Sequence, residues 1–187
     1  MNVNINFIIN RNLIFAFICI FFFNTLFAQQ IGESTGFKIP RYVSLKSGEV
    51  NLRIGSSQNF PILLQYKTKN LPIEILDEYD VWRKISDING NQGWIHETLL
   101  KGDRYAIINS SKKNKSAVFK HPNGKKIGEI GQNNIVKIKV CLDNWCHINF
   151  LQYKGWINKN EIWGVYKNEK INVPFYQPLI NIIWKIK

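Results

Sequence analysis

Trp82–Arg83–Lys84–Ile85, a polar turn through Asn89–Gly90, and then Gly93–Trp94–Ile95–His96 make a stretch that the chain carries twice. It returns at a period of about 60 residues as Trp145–Cys146–His147–Ile148, a second polar turn, and Gly155–Trp156–Ile157–Asn158. The two tryptophans stand 12 residues apart in the first copy and 11 in the second, a difference that one residue of turn length absorbs. Asn-Gly between alternating runs is a strong hairpin signal, because both residues tolerate the left-handed backbone of a tight turn. A β-rich run precedes each copy: Leu71–Pro72–Ile73–Glu74–Ile75–Leu76 and Ile135–Val136–Lys137–Ile138–Lys139–Val140. Apolar residues recurring every second position mark half-buried strands. The fold class expected is all-β, with two small barrels in tandem.

Upstream, Arg11 precedes an unbroken apolar run of 11 residues, Leu13–Phe23, and a short stretch ending at Ala28. A basic start, a short apolar block and a small residue before polar sequence read as a secretory signal peptide over residues 1–28, cut after Ala28 or kept as an anchor. The run is too short for an ordinary membrane-spanning helix, which needs roughly 20 apolar residues. The expected location is therefore periplasmic or secreted. Residues 29–40 read as a linker, 41–102 and 103–166 as the two barrels, and 167–187 as a tail. Beyond the signal only Cys141 and Cys146 remain, an even number in an oxidising compartment. A hairpin through Leu142–Asp143–Asn144–Trp145 places them opposite each other, so a disulfide is expected. Metal ligation is the weaker alternative, because His147 points to the other face of a strand from Cys146.

Asn51–Leu52–Arg53, the following Gly55–Ser56–Ser57 loop and the repeated Trp…Gly-Trp hairpin resemble the bacterial SH3-like (SH3b) domains of exported proteins. The tandem type found in alphaproteobacterial envelope proteins is the nearest resemblance. Its Cys–loop–Trp–Cys element and Ile-Trp-Gly-Val ending are matched here by Cys141, Trp145–Cys146 and Ile162–Trp163–Gly164–Val165. The second copy departs at its start, where Ala117–Val118–Phe119–Lys120 stands in place of Asn-x-Arg. The resemblance implies SH3-like barrels, a non-catalytic binding module and cell-wall peptide or an envelope protein as partner. It also implies a shallow aromatic groove, for which Tyr66, Tyr79, Asp80 and Trp82 are the candidates. Tyr66 and Trp82 suit the packing of a small barrel equally well, and Trp94 and Trp156 are core candidates.

The formal net charge is +12, from 25 Lys+Arg against 13 Asp+Glu. It divides unequally: residues 41–102 carry a net +1, residues 103–166 a net +7 and the tail a net +3. Lys112, Lys113, Lys115, Lys120, Lys125 and Lys126 form the basic surface of the second unit. Either these are solvated loop residues or they attract an anionic envelope surface. Nucleic acid is not an expected partner of an exported chain, although the charge alone permits it.

Catalytic patterns are few. His96, His121 and His147 lack metal-ligand or triad spacing. No metal or cofactor is expected. Asp77–Glu78–Tyr79–Asp80 offers carboxylates for a hydrolase, but such runs between strands are usually solvated. A periplasmic protein–protein adaptor without cell-wall affinity is the alternative binding reading. In the tail, Pro174 and Pro178 argue against a long helix, leaving a strand that closes the second barrel or an apolar hook for a partner or bilayer. Packing on the body of the protein is the favoured reading.

Overall fold

The computed structural model describes residues 29–110 and 114–186, with side chains through Trp184. The expected signal peptide, Lys112 and Lys113 lie outside the described residues. Strands β1 (Arg41–Leu45), β2 (Val50–Arg53), β3 (Ile62–Tyr66), β4 (Pro72–Tyr79), β5 (Trp82–Ser86), β6 (Gln92–His96) and β7 (Leu100–Lys101) form one antiparallel sheet. A second sheet is built from β8 (Tyr105–Ile108), β9 (Lys115–Phe119), β10 (Lys126–Gly131), β11 (Ile135–Cys141), β12 (Trp145–Phe150), β13 (Tyr153–Asn158) and β14 (Ile162–Trp163).

The strand orders are β3-β2-β6-β5-β4-β1-β7 and β10-β9-β13-β12-β11-β8-β14. Each strand of the first sheet thus has a counterpart at the same place in the second. Even the single 3-10 turns correspond: Glu97–Leu99 precedes β7 and Lys159–Glu161 precedes β14, capped by the side chains of His96 and Asn158. The fold is two tandem β units, as the repeated hairpin led us to expect, and SH3-like, as the family resemblance implies.

Alternation sorts the side chains. Leu45, Val50, Leu52, Ile73, Ile85 and Ile95 fill the first core, and Ile108, Val136, Ile138, Ile148, Ile157 and the Cys141–Cys146 disulfide fill the second. The glycine before each hairpin's second Trp is a steric requirement. A Cβ on Gly93 would lie 2.6 Å from the Arg53 carbonyl oxygen, and one on Gly155 would strike Val118, because β6 and β13 cross β2 and β9 there.

The barrels meet through the end of the second. Tyr42 of β1 packs edge-on against Trp163 (ring centroids 5.1 Å apart) and against Tyr166 at 4.7 Å. The Tyr166 hydroxyl donates to Glu74 at 2.6 Å, and the Ser44 hydroxyl donates to the Asp103 carbonyl at 2.9 Å. Gly164 adopts φ +115°, and a Cβ there would lie 2.7 Å from the Tyr105 carbonyl oxygen, which accounts for the glycine of Ile-Trp-Gly-Val.

The tail corrects one expectation. Its last stretch is a helix, α1 (Gln177–Ile186), not a strand. Pro178 sits in the first turn, where a missing N–H costs nothing. The helix does pack on the body: Trp184 stacks on His121 and meets Trp156 edge-on at 5.3 Å. Trp94 corrects another. It is half-buried and projects from the outer side of its sheet, alternating with the buried Gly93 and Ile95.

Candidate functional site

On the outer side of the first barrel, β2, β3, β5 and β6 frame an open depression of about 420 Å³. Its floor is Trp82, 8% exposed, whose ring meets His96 edge-on at 5.3 Å. Register explains the pairing, because Trp82 stands opposite His96 across β5 and β6. The walls are Asn51, Arg53, Glu49, Gln58 and Gln65. Asn51 and Arg53 face outward because Val50 and Leu52, which alternate with them, face the core.

The polar wall is internally ordered. Gln65 donates its amide to Asn51 (3.0 Å), Lys67 pairs with Glu49 (2.8 Å), and Arg53 donates to the Phe60 carbonyl (2.7 Å). That last bond fastens the β2–β3 loop beside the groove. The result is an aromatic floor with amide donors and acceptors and one guanidinium, a set suited to a peptide backbone carrying a carboxylate.

Of the four groove candidates, the structure brings only Trp82 to this depression. Tyr66 lies in the first core, its hydroxyl donating to the buried Asp87 at 3.1 Å. Asp87 in turn accepts from the backbone N–H groups of Asn89 and Asn91 (both 2.9 Å), so Tyr66 anchors the β5–β6 turn. Burial, reinforced by Asp87, pushes the Tyr66 phenol well above its ordinary value. Tyr79 and Asp80 sit exposed at the β4–β5 turn, Asp80 at φ +47°. Sequence reading missed Asn51, Arg53, Gln65 and His96 as groove residues. The signal was available in the alternation of β2 and in the placement of His96 two residues after Trp94.

The acidic run is not uniformly solvated. Glu78 is buried, and its carboxylate accepts from Arg41 (2.6 Å), from the Thr35 hydroxyl (2.8 Å) and from the Thr35 N–H (2.9 Å). Arg83, itself buried, approaches it at 3.8 Å and also binds Glu97. Burial alone would raise the Glu78 pKa, but the bonds from Arg41 and Thr35 prevail and hold it below the ordinary carboxylate value. Both oxygens are engaged in tying the 29–40 segment to the barrel, and none of the four residues lines the Trp82 groove.

The second barrel fills the equivalent place. Phe119 occupies the position of Arg53, and its ring packs edge-on against Trp145, the counterpart of Trp82, at 5.2 Å. Trp156, the counterpart of Trp94, is covered by Trp184 of α1 and flanked by His147 at 5.2 Å. The groove is open on the first unit and closed on the second. The second unit has a different hollow, of about 290 Å³ and largely apolar, lined by Val118, Ile127, Ile130, Phe150 and Tyr153 among others. Of the basic residues, Lys126 and Lys115 pair with Glu129, whereas Lys120 and Lys125 are exposed and flank the β9–β10 turn.

The description "Bacterial SH3 domain" matches the chain twice, over residues 46–102 and 112–164. The chain belongs to the bacterial SH3 domain family. The two matches coincide with the two barrels, so both units are bacterial SH3 domains despite their different outer faces. No curated protein matches the chain. Similar solved structures include NlpC2 from Trichomonas vaginalis, at 14% identity and a TM-score of 0.31 over 80% of this chain and 57% of that one. NlpC1 from the same organism matches at 14% and 0.31 over 71% and 48%. An NlpC/P60 family protein from Bacillus cereus matches at 13% and 0.30 over 75% and 61%. The chain spans about half to three fifths of the length of these structures.

Proposed function

We propose that the protein is an exported, non-catalytic binding module whose first SH3 domain takes a short cell-wall peptide, or another envelope component of that chemistry, in the Trp82 groove. Family membership supports a binding role, and the Cys141–Cys146 disulfide supports an oxidising compartment. The observation that carries the reading is the groove itself. Trp82, held edge-on by His96, gives the floor a fixed shape, while Asn51, Gln65 and Arg53 supply directional contacts to amides and a carboxylate.

The test is co-sedimentation of the purified chain with isolated peptidoglycan, followed by titration with soluble wall peptides. Arg53→Ala and Asn51→Ala, on the exposed wall, should weaken binding about tenfold each without loss of fold. Absence of binding at both low and moderate salt overturns the wall reading. Capture of a specific envelope protein by the same groove, abolished by Arg53→Ala, would favour the adaptor function instead.

A further inference from the structure

Helix α1 is amphipathic the wrong way round for a helix lying on a soluble domain. The side chains it turns to the barrel are Gln177, which is buried, with Asn181 and Trp184; Gln177 and Asn181 are joined by a 3.0 Å bond. Three of its apolar residues face solvent, Leu179 at 66% exposed, Ile182 at 56% and Ile183 at 55%, while Ile180 is half-buried. These recur at helical spacing on one side, and Phe175, just before the helix, is 94% exposed. Burying such a stripe is favourable, so its outward display marks a contact surface.

Charge identifies the occupant. Trp184 stacks on His121, which places α1 beside the β9–β10 turn, where the Lys120 N–H bonds the Lys125 carbonyl at 3.0 Å. Asn172 of the tail bonds the Lys139 carbonyl. Lys120, Lys125 and Lys139 are exposed and form no salt bridge among the described residues. A second copy of the chain would bring two such basic faces together, because residues 103–166 carry a net +7 and the tail a net +3. An apolar stripe flanked by unpaired lysines matches the boundary of an anionic bilayer, with the side chains in the acyl region and the ammonium groups at the headgroups.

The geometry points to α1 and the β9–β10 turn as a docking surface for an anionic phospholipid membrane, used by the second unit independently of the Trp82 groove. The test is flotation of the chain beginning at Gln29, which contains both barrels and α1 complete, with vesicles. One set contains equal parts phosphatidylglycerol and phosphatidylcholine; the other contains phosphatidylcholine alone. The chain should float with the anionic vesicles at low salt and at least about tenfold less with neutral ones. Ile182→Asp with Ile183→Asp, both on the exposed side, should reduce flotation at least about tenfold while the thermal unfolding curve is retained. Leu179→Ser provides a milder second variant. Lys120→Glu with Lys125→Glu should remove the salt-sensitive part of binding. Asn51→Ala should float as the parent does, which separates this surface from the groove. Equal flotation on neutral vesicles, no flotation at low salt, or unchanged flotation of the Ile variant overturns the proposal. So does a dimer in sedimentation that the Ile variant disperses.

Discussion

Glu78 faces Arg83 across the β4–β5 hairpin at the ladder position where Cys141 is bonded to Cys146 in the second unit. Both pairs are five residues apart in sequence, and the two hairpins are counterparts in the sheet order. One barrel locks this corner ionically, recruiting Arg41, Thr35 and Glu97; the other locks it covalently. Beneath the disulfide the counterpart of Glu97 is Lys159, a buried ammonium that donates to the carbonyls of Leu142, Glu169 and Lys167.

Removing one partner from a buried ion pair leaves the other uncompensated. Glu78→Gln should therefore destabilise the first unit by about 3–5 kcal/mol. Urea unfolding followed by Trp fluorescence reads this. Because the folded Glu78 titrates below its unfolded value, its stabilisation is present above the ordinary carboxylate pKa and is lost as pH falls through the folded value. The variant should lose that part of the acid dependence. An unchanged midpoint would show that the cluster contributes nothing net.

Replacing Cys141 and Cys146 together by Ser removes a short covalent loop. On loop entropy alone the second unit should lose about 2 kcal/mol. Thermal unfolding with and without reductant checks this, with the Ser variant insensitive to reductant.

Gly93→Ala sets a Cβ 2.6 Å from a backbone carbonyl, which cannot swing aside as a side chain can. We expect a loss of about 1–3 kcal/mol from this overpacking. Denaturant midpoints of this variant against Gly90→Ala separate crowding from turn strain, since nothing lies within 4 Å of a Cβ at Gly90, where only φ +83° opposes it.

Alkaline pH should loosen the protein through its tyrosines. Burial, with Glu74 nearby, pushes Tyr42 up to about 12, and burial with the Glu74 bond raises Tyr166 further. A phenol raised in the folded state stabilises fully below its unfolded value and loses that contribution as pH rises through the folded one. Thermal midpoints should fall above about pH 10, the unfolded tyrosine value. Tyr166→Phe should flatten that fall relative to the parent, and phenolate absorbance should report late ionisation.

The repeated hairpins were legible because period-two alternation and a glycine forced by strand crossing leave marks within a few residues. The disulfide was legible for the same reason, as a contact inside one hairpin. Glu78 was not, since its run-mates Asp77 and Asp80 are solvated and its partners Arg41 and Thr35 lie 37 and 43 residues away. The groove was half legible. Trp82 announced itself as an aromatic and alternation in β2 turns Asn51 outward, whereas Gln65 acquires meaning only when β2 and β3 pair and set it opposite Asn51. Helix α1 was hidden by its β-branched residues and by prolines that fall at the one end of a helix where they are tolerated.

The Tyr42–Trp163–Tyr166 contact has a mechanical consequence. Only Gly102–Asp103–Arg104 joins β7 to β8 along the chain, a tether that by itself would swivel. The packed rings, the Tyr166–Glu74 bond and the Arg104–Glu169 pair clamp it from the side. A pull on one barrel is thus resisted in shear by several contacts at once, and the load reaches the other barrel without passing through a hinge.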